Sequence, residues 1–208
     1  MLTIGLTGPT GAGKGAVAAI LQKYGFPHID TDAVYRELLI PPSPLLDELA
    51  LTFGEEVIAE DGGLNRVALA AKVFAPGQEA ELERLNAITH PHILGEVRRR
   101  LDVYAKQGEI EDGPLAVVVD APQLFESGYD KECDIICSVL APKPKPKRLA
   151  RIMERDGITE ERAKARMNAQ RSDSFYRKAG YTIVNDGDLN KLEDEVKRFY
   201  LYVRRIGG

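Results

Sequence analysis

The sequence predicts an α/β protein in which a parallel sheet lies between layers of helix. Three observations lead there. Short apolar runs alternate with longer segments of helical periodicity, the pattern of strand–helix–strand units. A glycine-rich loop, GPTGAGK, joins the first apolar run to the first helical one. The chain has 208 residues, 44% hydrophobic and 29% charged, enough for one substantial core with inserted subdomains.

LTIGLT reads as a short buried strand and GKGAVAAILQKYG as the helix after the loop. FPHID is a second, brief strand ending on carboxylates, and AVYRELL is a helix stopped by Pro41-Pro42. From about 44 to 108 the pattern is helical, in the runs PLLDELALTFG, LNRVALAAKVF, AELERLNAI and ILGEVRRRLDVYAKQG. Thr89 and Pro91 between the last two make a good helix start. LAVVVDA is the clearest strand, and CDIICSVLA is the fourth. APKPKPKRLARIMERDG opens as a stiff proline-alternating stretch and becomes a basic helix, with Gly157 as its stop. Thr159 caps a further helix that carries Glu160 and Glu161 in its first turn. YTIVN is the fifth strand. The last helix starts near Asp188, and Leu189, Leu192, Val196, Phe199 and Val203 mark its apolar face.

A formal net charge of −4 argues against a general nucleic-acid binder. AVAAIL at 16–21 is too short to span a bilayer, and no signal-peptide pattern opens the chain, so a cytoplasmic protein without membrane attachment is expected. Cys133 and Cys137 are too few for a disulfide framework and are expected to be buried thiols.

Gly8 to Lys14 matches G-x-x-x-x-G-K between a strand and a helix. Backbone N–H groups of Gly11, Ala12, Gly13, Lys14, Gly15 and Ala16 can surround a phosphate, and Lys14 adds charge for the β and γ groups. Gly15 departs from the motif, which has Ser or Thr there to ligate Mg²⁺. The metal then depends on phosphates, water and carboxylates, with Asp120 at the end of VVVD as a water-mediated ligand.

Asp30 and Asp32 are spaced by two in a segment read as extended, so they point the same way. Asp32 also suits an N-cap for the next helix, paired with Arg36. Arg151 and Arg155 share a helical face, with Arg148 one turn earlier; such a face suits phosphoryl transfer, or is simply solvated. Asn185 follows the last strand, where Asn also forms turns.

IGLTGPTGAGKG, IDTDAVYREL, FGEEVIAEDGGLNR, ITHPHI, DAPQLFESG, RIMERDGITEERAKARMNAQ and IVNDGDL occur in this order and span nearly the whole chain. Together they resemble the dephospho-coenzyme A kinase family. Four departures stand out: Gly15 in the loop, Gln123 in place of a leucine, the PKPKPK approach, and KAGY before the last strand. The resemblance implies a three-layer P-loop NTPase fold with a five-stranded parallel sheet. The core is expected over about 1–40, 113–142 and 181–208, a helical substrate domain over about 41–112, and a mobile helical lid over about 143–180. The implied reaction moves the γ-phosphoryl of ATP, with Mg²⁺, to the ribose 3′-hydroxyl of dephospho-coenzyme A. It makes Asp32 the base and Lys14, Arg151 and Arg155 the cations that meet the moving group. Asn185 falls on the adenine side, and Arg36, His90 and Glu126 join Asp32 on the acceptor side. A monomer or weak homo-oligomer is expected. Two other readings stay open: a nucleoside or nucleotide kinase, and a nucleotide-binding module without turnover.

Overall fold

Five apolar runs become strands β1 (Leu2–Thr7), β2 (His28–Asp30), β3 (Ala116–Asp120), β4 (Ile135–Leu140) and β5 (Tyr181–Val184) in a computed structural model that describes residues 1–110, 113–141 and 145–208. Nine helices among the described residues connect them: α1 (Lys14–Lys23), α2 (Thr31–Leu38), α3 (Pro44–Phe53), α4 (Arg66–Val73), α5 (Glu79–Ile110), α6 (Lys145–Asp156), α7 (Glu160–Asn168), α8 (Asp173–Tyr176) and α9 (Leu189–Gly207). The strands form the expected parallel five-stranded sheet, in the order β2-β3-β1-β4-β5. β1 is central. Its register sets Leu6 beside Asp120 and Cys137, and Thr7 beside Ser138, so the carboxyl ends of three strands lie side by side.

The chain divides into two compact units, Met1–Ile29 with Val103–Gly208, and Asp30–Asp102. In the first, all five residues of β3 are buried, which is why AVVV is continuously apolar rather than alternating before the strand ends on Asp120. Val17 and Leu21 of α1 and Leu192, Val196, Phe199 and Val203 of α9 pack with Ile4, Leu6, Val118, Val139 and Ile183 of the sheet. Burying one such side chain contributes about 1.5–3 kcal/mol. Asp188, at the expected start of α9, caps it by accepting from the Asn190 and Lys191 amides, and Thr159 caps α7 as expected. Gly157, with φ +60°, follows α6. Cys133 and Cys137 are free thiols; burial raises both, Cys133 to about 12. The proline-alternating approach over 142–144 lies outside the described residues, and the chain is already helical from Lys145.

In the second unit, Leu45, Leu46, Leu49 and Phe53 of α3 meet Leu69 and Val73 of α4, with Tyr35 and Leu38 of α2 beside them. Ser43 caps α3, with Pro44 at its first turn, and Asn65 caps α4. The expected helix start at Thr89-His90-Pro91 is absent, because α5 runs unbroken through Pro91. A single proline removes one backbone hydrogen bond and costs about 3 kcal/mol. The remaining turns of a 32-residue helix, with Leu85 and Ile88 packed on this core and Val97 buried, outweigh that loss. The Thr89 hydroxyl donates back to the Leu85 carbonyl at 2.9 Å instead of capping anything. No helix among the described residues is long and apolar enough to cross a membrane.

Candidate active site

The loop after β1 owes its shape to two glycines. Gly13 has φ +100° and precedes α1, so the chain turns in a left-handed conformation that only glycine adopts cheaply. A Cβ there would also lie 2.2 Å from Nδ2 of Asn185. That amide donates to the Ala12 carbonyl at 2.9 Å, while Asn185 Oδ1 accepts from the Gly187 N–H at 3.1 Å. Asn185 is buried, and its own N–H is bonded to the Leu140 carbonyl. It therefore ties the end of β5 to the back of the loop. Gly11, with φ +73°, is the second: a Cβ would meet Ile152 Cγ1 at 2.8 Å and Arg148 Cγ at 3.0 Å, so α6 lies directly against the loop.

Lys14 opens α1 with its ammonium 3.4 Å from the Gly8 carbonyl and 4.0 Å from Asp120 Oδ1. Both side chains are mostly buried, at 13% and 12% exposure, so this pair is screened far less than a surface pair. Asp120 ends β3 beside Leu6, as placed by the register. At Gly15 a Cβ would meet nothing within 4 Å, so the missing hydroxyl leaves open space rather than a repacked neighbour.

Basic side chains of α6 face the same loop. Arg155 donates to Thr10 Oγ1 at 3.1 Å and grips Asp156 through two bonds of 2.7 and 3.1 Å. Those bonds, with Arg166 also on Asp156, hold the Asp156 carboxyl below the ordinary carboxylate range. Arg151 lies one turn before Arg155 on α6 and forms no ion pair among the described residues. Arg148 donates to the Thr10 carbonyl at 2.6 Å and to Oε1 of Gln170, which also accepts from the Thr10 N–H at 3.0 Å. Burial lowers the Arg148 pKa. Glu126 lies 3.8 Å from Arg171, in the loop after β3.

Asp32, Arg36 and His90 belong to the second unit. The expectation that Asp30 and Asp32 share an extended segment fails, because β2 ends at Asp30 and the helix begins at Thr31. Asp30, not Asp32, is the cap: its Oδ1 accepts from the Asp32 and Ala33 amides at 2.9 and 3.3 Å, and its Oδ2 is 3.8 Å from Arg36. Asp32 stands in the first turn of α2, where the helix dipole favours a carboxylate. His90 lies on α5 beside Pro91, and its neighbour His92 pairs with Glu48 at 2.8 Å.

The sequence singles out neither Thr10 nor Gln170, and it offers Arg148 only as a member of the basic face. Thr10 occupies a free position of the loop motif, and nothing local marks Gln170, which lies 160 positions away in the chain. A 550 Å³ cavity lined by Tyr24, Phe26, Tyr104, Tyr200 and Arg204 lies at the opposite, amino-terminal edge of the sheet, away from these residues.

The family model for dephospho-CoA kinase matches residues 2–191. The chain belongs to the dephospho-CoA kinase family. A dephospho-CoA kinase of Corynebacterium glutamicum is 39% identical over 95% of this chain and 95% of its own length. A solved structure from Thermus thermophilus is 33% identical, with 97% of each chain covered and a TM-score of 0.74. The dephospho-CoA kinase structure from Campylobacter jejuni, 23% identical, covers 97% of this chain and 96% of its own with a TM-score of 0.67, and supports the fold. As a member of this family, the chain is an ATP-dependent phosphotransferase with a P-loop core.

Proposed function

We propose that the chain transfers the γ-phosphoryl of ATP to the ribose 3′-hydroxyl of dephospho-coenzyme A, the last step of coenzyme A synthesis. The observation that carries this reading is a family match that runs from the phosphate loop through the IDTD and THPHI segments to the last strand. The match therefore includes the IDTD and THPHI segments, which this reading assigns to the acceptor side, as well as the donor loop.

In this reading the amides of residues 11–16 and Lys14 hold the donor's phosphates, with Asn185 fixing the loop behind them. Phosphoryl transfer asks mostly for positioning and charge. Lys14, Arg151 and Arg155 supply cations against the charge that spreads over the moving group. Asp32 orients the acceptor hydroxyl and accepts its proton late in the transfer. Arg36, His90 and Glu126 serve the acceptor side. The donor set suits Mg²⁺, which keeps several waters and needs few protein ligands, since Asp120 is a buried carboxylate next to Lys14 and Gly15 leaves room for water. When bound, Mg²⁺ would be held by the phosphates and, through water, by Asp120, and would neutralise phosphate charge. ATP and dephospho-coenzyme A are the partners of this reading, which places the protein in the cytoplasm as a monomer or weak homo-oligomer.

An initial-rate panel with ATP and Mg²⁺ tests the substrate. Dephospho-coenzyme A should be phosphorylated, and AMP and nucleosides should not. Transfer to AMP with none to dephospho-coenzyme A would favour the nucleotide-kinase alternative. ATP binding without any product would favour a non-catalytic module.

A further inference from the structure

Thr10 has its backbone N–H, its carbonyl and its hydroxyl all engaged by residues of 148–170: Gln170 takes the first, Arg148 donates to the second, Arg155 to the third. No other residue of the loop is held this way among the described residues. The grip comes from two places, the face of α6 and the residue shortly after α7, so both must be in position for it to form. Ile152, fully buried, presses on Gly11 alongside.

Arg148 is the unusual member. Arg155 has Asp156 as a counter-charge, whereas Arg148 is half-buried and held by two neutral carbonyl oxygens, with no carboxylate pairing it among the described residues. Burial lowers its pKa, and the Asp173 carboxylate, which makes no ion pair with it, offsets that only in part. Nε–H and one Nη2–H are used, which leaves both hydrogens of Nη1 to donate elsewhere. The loop it rests on is an array of phosphate-binding amides.

We propose that Arg148 is a donor-binding residue whose guanidinium meets the polyphosphate of the nucleotide, and that Gln170 is its positioning residue, locking Arg148 and the phosphate loop into one arrangement through Thr10. The bound polyphosphate supplies a direct counter-charge, where Asp173 acts on Arg148 without an ion pair. This rests on the kinase reading for the donor, and on nothing about the acceptor. Arg148 thereby differs from Arg151 and Arg155, to which family resemblance alone assigns the lid roles.

The test is calorimetric titration of the full chain with ATP and with adenosine, in the presence of Mg²⁺ and without acceptor, alongside thermal melts without nucleotide. Arg148→Met is expected to weaken ATP binding about tenfold to a hundredfold, the scale of a charge-assisted hydrogen bond. Adenosine binding and the nucleotide-free melting temperature should stay level or the latter rise, because a half-buried charge without a direct ion pair is gone. Arg148→Lys, which keeps charge but loses the fork, should recover part of the ATP affinity. Gln170→Leu should weaken ATP binding less than Arg148→Met, and the double variant should be no worse than Arg148→Met alone. Unchanged ATP affinity in Arg148→Met would overturn the proposal. So would an equal loss for ATP and adenosine with a lowered melting temperature, since that marks a purely structural contact. If the wild-type chain left dephospho-coenzyme A unmodified while these ATP results held, the acceptor assignment would fail and this inference would stand.

Discussion

Replacing Gly13 by alanine tests how the phosphate loop is held. Two costs can be read from the structure. The φ of +100° puts an L-residue in the left-handed region, at about 1–2 kcal/mol. The new Cβ would lie 2.2 Å from Asn185 Nδ2, so the amide must leave the Ala12 carbonyl and strand a buried acceptor, at about 1–3 kcal/mol. The sum, about 2–5 kcal/mol, corresponds in a chain of this size to a melting temperature lower by roughly 4–20 °C. Gly15→Ala is the internal control. It lies two residues away, meets open space and has no positive φ, and as a helical residue it is expected to be neutral or to stabilise by up to about 1 kcal/mol. Melts followed by circular dichroism, with calorimetric ATP titration, compare the two. Gly13→Ala should lose both stability and ATP affinity, and Gly15→Ala neither. A Gly13→Ala protein that melts with the wild type and binds ATP equally well would refute the assigned link between Asn185 and the loop.

Three further outcomes are expected. Asp32→Asn should leave ATP binding nearly intact and lower turnover by about two orders of magnitude or more, measured by steady-state kinetics; full retained rate would remove Asp32 from the mechanism. Gly15→Ser should fold normally and lower the Mg²⁺ concentration needed for half-maximal rate, since open space surrounds the position; unchanged metal dependence would mean that other ligands suffice. Glu96 is held down to about 2, first by the hydrogen bond from Arg99 and then by Arg100, so its contribution is complete above the ordinary carboxylate range and disappears as pH falls through about 2. The melting-temperature gap between wild type and Glu96→Gln should therefore be widest near neutral pH and close on acidification, and a gap that widened in acid would contradict this.

What could be read from the sequence depended on the range of the interaction. AVVV was legible because complete burial in a parallel sheet leaves a continuous apolar run, and the helix starts at Asp188 and Thr159 because caps act within three residues. The phosphate loop was legible because backbone amides need glycines at fixed spacing. Pro91 misled because a strong local stop signal is weighed in the fold against every other turn of α5. Asp30 and Asp32 were read as one extended pair, although the strand ends between them; a boundary shift of one or two residues exchanged cap and non-cap. The bond from Asn185 to Ala12 spans 173 positions and that from Gln170 to Thr10 spans 160, and no local pattern encodes either.

Incubating the purified chain with ATP, Mg²⁺ and dephospho-coenzyme A, then analysing the acceptor by mass spectrometry and phosphorus NMR, decides the reaction. The acceptor should gain one phosphoryl group, located on the ribose 3′ oxygen. An acceptor recovered unchanged, or phosphorylated at another position, would contradict it.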